Sequence, residues 1–243
     1  MPSPLVLSDE RKKRGGWPIG HRFLYPFLFP LISVSVLFPL ILGVALVWGC
    51  GTRKTENETR ASVDTSDIYV LEVIKDRKVK DLHFLQDEDS PLLPADRAVF
   101  TGLQYFPPDK SFVFHTKLEP TVPPRPVMLA TSKNRPRPML MVGHLPFTYK
   151  GVTYRLEVFA PKDTTEGRYW FIPFMDETNG TESYEGGRFI DIDDPGPDST
   201  FLDFNYAYNP YCAYNHAFDC PIPPAKNRLP IPVYAGERAF RKR

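Results

Sequence analysis

Apolar and polar positions alternate in three different ways along this chain. From Leu24 to Trp48 the run LYPFLFPLISVSVLFPLILGVALVW carries no charged residue. It is longer than the roughly 20 residues needed to cross hydrocarbon, and it predicts a single transmembrane helix over residues 24–48. Pro26 and Pro30 fall in its opening turns, whereas Pro39 removes a backbone hydrogen bond in mid-span and predicts a kink. Residues 49–66 are polar and aperiodic and read as a tether. From Ser66 the period becomes helical: SDIYVLEVIKDRKVKDLHFL sets Ile68, Leu71, Leu82 and Leu85 on one stripe, with Ser66 placed to cap and Ser90-Pro91 and Pro94 closing the segment. This predicts one amphipathic helix.

Beyond that helix the period shortens to two. Ser111–Glu119 and Val127–Thr131 are strand-like. Val152–Phe159 alternates cleanly, with Val152, Tyr154, Leu156 and Val158 on one face and Thr153, Arg155 and Glu157 on the other. Lys150-Gly151 predicts a tight hairpin joining this strand to Pro146–Tyr149, and Asn179-Gly180 predicts a turn after Tyr169–Phe174. Arg188–Ile192, Phe201–Phe204 and Ile231–Tyr234 are further short strands. The expected fold of residues 67–243 is therefore mainly β, an antiparallel sandwich or partly open barrel with one amphipathic helix, preceded by the single transmembrane helix.

Composition refines this picture. The 243 residues hold 30 Lys+Arg against 29 Asp+Glu, a net charge of +1, which argues against a nucleic-acid partner. The 27 prolines and a 14% aromatic share favour turns over long helices, and 42% hydrophobic residues argue against disorder. Arg11, Lys12, Lys13, Arg14 and Arg22 precede the span, while Arg53, Lys54 and Arg60 follow it, mixed with Glu56 and Glu58. That bias places the basic segment 1–23 in the cytoplasm and the β-rich domain outside the inner membrane, in the periplasm or beyond. Trp17 and Trp48 bracket the span as interfacial anchors. Cleavage is not expected, because the apolar run exceeds a signal h-region and no small-x-small site follows. Lipidation at Cys50 is disfavoured by bulky Trp48 just before it.

Cys212 and Cys220 are the strongest chemical pair. Their spacing, on a side of the membrane where thiols oxidise, favours a disulfide staple, with free buried thiols as the alternative. Cys212, His216 and Cys220 would share a helical face and suggest a metal, but Asn209-Pro210 and Pro221 oppose a helix there and no fourth ligand is evident. No metal or cofactor is expected. Asp176, Glu177, Glu182, Glu185, Asp191, Asp193 and Asp203 invite acid–base chemistry, yet several sit in turns such as Asp193-Asp194-Pro195-Gly196. Arg188 beside Gly186 and Gly187 has the composition of an anion clamp, set against the plainer expectation of an internal ion pair with an aspartate. Asn205, Asn209 and Asn215 suit the bracing of irregular backbone better than substrate binding. Phosphate loops, nucleophile elbows, His-Glu-x-x-His helices and dinucleotide fingerprints are all absent from the sequence.

Four segments, FTGLQYFPPD from Phe100, FIPFMDETNGTESYEGGRFIDI from Phe171, LDFNYAYNPYCAYN from Leu202 and CPIPPAKNRLPIPVYAGE from Cys220, together resemble the bacterial family known as domain of unknown function 1684, over about Asp67–Phe240. The resemblance implies no established activity; it does imply exported or lipid-anchored relatives. The expected function is a single-pass, extracytoplasmic binding or scaffold protein, a non-catalytic accessory subunit of a larger membrane complex of respiratory or photosynthetic type. Its partners would be the lipid bilayer and neighbouring membrane subunits. Two alternatives are a hydrolase-like enzyme, with Arg188, Asp191, Asp203 and His216 as catalytic candidates, and an envelope protein binding a small ligand through Tyr184, Arg188, Asn205 and Asn209. Convergence of such side chains in one pocket would favour the enzyme; their dispersal would count against it.

Overall fold

A computed structural model describes residues 65–162, 169–193 and 199–240. The expected span Leu24–Trp48, the basic segment before it, Cys50 and nearly all of the tether lie outside these residues. Among the described residues, no helix is long and apolar enough to cross a membrane.

The expected helix forms as α1 (Thr65–Gln86), and a short helix the sequence did not announce, α2 (Pro94–Ala98), follows it. Proline at the first position explains α2, since the missing N–H is one that no helix start can use. Seven strands come next: β1 (Val113–Thr116), β2 (Glu119–Leu129), β3 (Arg137–Tyr149), β4 (Val152–Pro161), β5 (Tyr169–Phe174), β6 (Arg188–Asp193) and β7 (Thr200–Asp203). β2 to β6 form one antiparallel sheet in chain order, and β1 pairs with β7 in a second, two-stranded sheet. The described residues are thus mainly β and antiparallel, with no closed barrel.

Local chemistry explains the details. Lys150 and Gly151 both have positive φ, 48° and 79°, and turn β3 directly into β4, with Tyr149 opposite Val152. Between Met141 and Gly143 the register slips: Met141 faces Phe159, whereas Gly143 faces Val158. The extra residue reverses the pleat. Met139 and Met141 therefore join the cluster containing Phe159, Phe171 and Phe189, whereas Leu145 and Phe147 join a second one with Leu156, Ile172 and Ile190. Gly143 is required at this bulge, because a Cβ there would stand 2.3 Å from the Glu119 carbonyl oxygen. β2 closes one edge of the large sheet, where Pro120, Pro123, Pro124 and Pro126 withhold backbone donors from any approaching strand.

Ile231–Tyr234 does not form the expected strand. Pro230 and Pro232 flank Ile231 and deny it a regular ladder, so the chain beyond β7 runs irregularly through short 3₁₀ turns. Side chains replace the ladder. Asn227 is fully buried; its Oδ1 accepts from the Glu157 N–H at 2.7 Å, and its Nδ2 donates to the Glu157 and Pro173 carbonyls at 2.9 and 2.8 Å. One amide thereby ties the C-terminal segment to β4 and β5. Glu157, expected on the polar outer face of β4, is buried beside it and approached by Lys226 at 3.3 Å.

Candidate functional site

The site begins with an inversion in α1. An amphipathic helix on a β domain ordinarily turns its apolar stripe toward the core. Here Leu71 and Leu82 are 64% and 51% exposed, Ile68 and Leu85 are exposed with them, and the polar face is turned inward. Val73 and Phe84 supply that face with apolar anchors, and each of its polar residues Tyr69, Asp76, Arg77, Lys80 and Asp81 makes a polar contact across the interface. Tyr69 Oη donates to Asp203 Oδ2 at 2.7 Å, and Tyr206 Oη donates to Asp76 Oδ2 at 3.1 Å. Arg77 donates through Nη1 to the Phe106 carbonyl and through Nη2 to that of Asn205. Lys80 Nζ sits 2.5 Å from Glu237 Oε1, with both side chains buried. Asp81 accepts from the Leu103 N–H at 2.9 Å.

Between this face and the irregular segment after β7 lies a small cleft of about 40 Å³, partly open to solvent. Arg77, Lys80, Tyr105, Asp191, Tyr208 and Glu237 are among the residues that line it. The Arg77 guanidinium stacks 4.5 Å from the Tyr105 ring centroid, and Lys80 lies 4.9 Å from that of Tyr208. Glu237 is held from behind, its Oε2 accepting from the Asn209 N–H at 2.8 Å and from Tyr214 Oη at 2.5 Å. Two donors of the lining residues, the Tyr105 hydroxyl and Arg77 Nε, are buried and make no hydrogen bond. Burial, and then the nearby charges of Glu237 and Asp81, push the Tyr105 hydroxyl well above its ordinary range, so it is a neutral donor. Burial also lowers Arg77 and raises Asp76. None of the described lining residues is a serine, threonine, cysteine or histidine.

The residues singled out from sequence scatter. Arg188 has no exposed surface; its Nη2 reaches Asp176 Oδ2 at 2.8 Å and the Val233 carbonyl at 2.9 Å, while Nη1 donates to the Ala235 and Glu237 carbonyls. It is the internal ion pair, with Asp176 as partner, and its fork is spent on the C-terminal backbone. Asp191 does line the cleft, accepting from Tyr208 Oη at 2.9 Å. Asn205 lines it as well, but its amide braces the Asp109 backbone and Asp203. Asp203 accepts from Tyr69 and from the Asn205 N–H, and Asn209 Nδ2 donates to the Arg238 carbonyl. Neither Asp203 nor Asn209 reaches the cleft wall. Tyr184 Oη contacts Cys212 Sγ at 3.7 Å, and His216 is exposed whereas Cys212 and Cys220 are buried. The four catalytic candidates are thus not assembled in one pocket.

The expected disulfide is not formed: Cys212 and Cys220 are free, buried thiols. They are nonetheless neighbours, the Cys212 N–H donating to Cys220 Sγ at 3.2 Å. A hydrogen bond from Cys220 draws the Cys212 thiol below its ordinary range, and the same shared proton drives Cys220 far above it. At the C-terminal end of α1, His83, Asp87 and Asp89 bring three potential ligand atoms within 4.8 Å of one another. His83 Nδ1 is already hydrogen-bonded to Asp87 and lies 3.9 Å from Asp89 Oδ1, while Nε2 faces Tyr211 Oη.

The sequence missed Arg77, Lys80, Tyr105 and Glu237. One signal was present: Tyr69, Asp76, Lys80 and His83 recur at helical spacing opposite the apolar stripe, a second face with its own chemistry.

No curated protein matches the chain. A solution NMR structure of an uncharacterized protein from Haloarcula marismortui is 36% identical, with a TM-score of 0.56 over 72% of this chain and 96% of the other. Residues 98–238, running from the end of α2 to just past Glu237, match the family described as Protein of unknown function (DUF1684), and this chain belongs to that family.

Proposed function

We propose that this chain is a single-pass, membrane-anchored binding protein whose extracytoplasmic domain takes a small carboxylate-bearing ligand in the cleft beneath α1, without catalysis. The buried Tyr105 hydroxyl and Arg77 Nε, two donors that belong to residues lining that cleft and have no acceptors of their own, carry the proposal. A carboxylate supplies acceptors to both, and the rings of Tyr105, Tyr206 and Tyr208 supply an apolar wall for the rest of the molecule. The lack of serine, threonine, cysteine and histidine in the described lining and the dispersal of Arg188, Asp203 and His216 support binding over turnover. The anchor itself rests on Leu24–Trp48.

The test is a thermal-shift and calorimetric comparison of short monocarboxylates with amines of matched size. Monocarboxylates raise the unfolding temperature of the wild type, and Tyr105→Phe, which removes only an unpartnered hydroxyl, abolishes the shift while leaving the unliganded unfolding temperature in place. Equal shifts from amines, or an undiminished shift in Tyr105→Phe, would sink the proposal. An accessory subunit of a larger complex would instead leave mild detergent at fixed stoichiometry with other chains.

A further inference from the structure

The outer face of α1 has no role in the cleft. Ile68, Leu71, Ile74, Val79, Leu82 and Leu85 are all at least 36% exposed, and, three residues apart except for the five from Ile74 to Val79, they fall on one helix face. Helix geometry places Lys75 and Lys78 within this same stripe, and both are exposed. At the C-terminal end, Arg97 Nε donates to the Leu85 carbonyl at 2.6 Å and so fastens α2 beside Leu85, where Leu93 and Val99 are exposed too. Packing among the described residues does not account for the stripe, because the opposite face of the helix already meets the β-rich core through Val73, Phe84 and the six polar contacts above.

We propose that this face lies on the lipid bilayer, as an interfacial helix with its leucines and isoleucines at the headgroup–acyl boundary. Three observations select lipid as the occupant. Lys75 and Lys78 carry long apolar stems and cationic tips, the side chains that rise to the headgroups when a helix lies in the interface. From Ile68 to Leu85 the stripe holds no acidic residue; Glu72 and Asp81 stand at its two margins. The stretch between the end of the apolar run at Trp48 and the start of α1 is only residues 49–64 in the sequence, so the helix follows the expected span closely along the chain. Lipid contact would hold the domain in one orientation and turn the cleft side of α1 away from the membrane. The inference rests on the anchoring part of the proposed function, and is independent of which ligand the cleft takes.

The experiment uses the full chain in nanodiscs of anionic or zwitterionic phospholipid, with bromine atoms on the acyl chains as quencher. Leu82→Trp places an indole at the centre of the exposed stripe without touching the core, and wild type corrects for the three native tryptophans. Acyl-chain bromines quench the added indole in anionic discs, and Lys75→Gln and Lys78→Gln each lower occupancy of the contact by about fivefold there. A chain that enters the discs but shows no added quenching overturns the lipid contact alone. A chain that elutes apart from the discs overturns the anchor as well. Protection of the indole from bromine together with cross-linking between two copies, or with a co-purifying subunit, assigns the face to protein and likewise overturns the contact with lipid.

Discussion

At the scale of single residues, the stability of this domain rests on buried charges held by buried partners. Arg188 and Asp176 have no exposed side-chain surface, and Asp176 also accepts from the Thr178 and Val233 N–H groups at 2.9 and 3.1 Å. Removing the guanidinium leaves that carboxylate without its counter-charge and frees three backbone carbonyls of the C-terminal segment. Arg188→Met is therefore expected to destabilise the domain by about 3–5 kcal/mol, measured by urea unfolding. An anion clamp would behave differently, since its loss would weaken ligand binding and leave stability in place. The sequence offered both meanings for Arg188, and its zero exposure decides for the ion pair. Lys80 and Glu237, far apart in sequence and both buried, could not have been paired from spacing alone.

At the scale of elements, the sequence signalled where strands and turns begin more clearly than which way they face. Lys150-Gly151 was legible because two consecutive left-handed residues suit a two-residue hairpin and little else. The bulge at Val142–Gly143 was not legible, because a glycine inside an alternating run does not announce that the faces exchange. Its consequence is testable. Gly143→Ala forces a Cβ against the Glu119 carbonyl, which belongs to backbone and yields little. The expected cost is about 1–3 kcal/mol in chemical denaturation, accompanied by loss of amide protection across the β2–β3 pairing. α1 carries the same lesson. Its boundaries were close to those expected, starting at Thr65 instead of Ser66, yet its apolar stripe faces outward. Hydrophobic periodicity marks a face; it does not say which of two faces meets the core when the residues of the polar one find partners there.

For the whole molecule, the buried polar layer between α1 and the β-rich part makes stability depend on pH in an unusual sense. Burial raises Asp76, Asp81 and Asp203 above the ordinary aspartate range, against the lowering effect of the hydrogen bonds that each accepts. A carboxyl group whose folded pKa exceeds its unfolded value holds its proton longer in the folded state. Its contribution is then fully favourable below the unfolded value and is lost as pH rises through the folded one. These three groups thus favour the folded state at mildly acidic pH over neutral pH. Asp81→Asn keeps an oxygen for the Leu103 N–H and removes the ionisation. Its unfolding temperature relative to wild type should rise as pH increases from about 4 to 7. A difference that stays flat or falls over this interval would contradict the assignment of Asp81 as a desolvated carboxylate.

Taken by itself, the sequence determined the antiparallel β class, the helix ahead of it, the hairpin at Lys150-Gly151 and the family, since alternation, glycine-bearing turns and long motifs are local properties of the chain. Tertiary structure alone decided which polar groups meet. It placed Tyr105, Arg77, Lys80 and Glu237 around one cleft, left Cys212 and Cys220 as a free thiol pair, and buried Arg188 against Asp176. The reason is physical: a buried charge or hydroxyl is tolerated only where a partner from elsewhere in the chain arrives at hydrogen-bond distance, and no local pattern encodes that arrival.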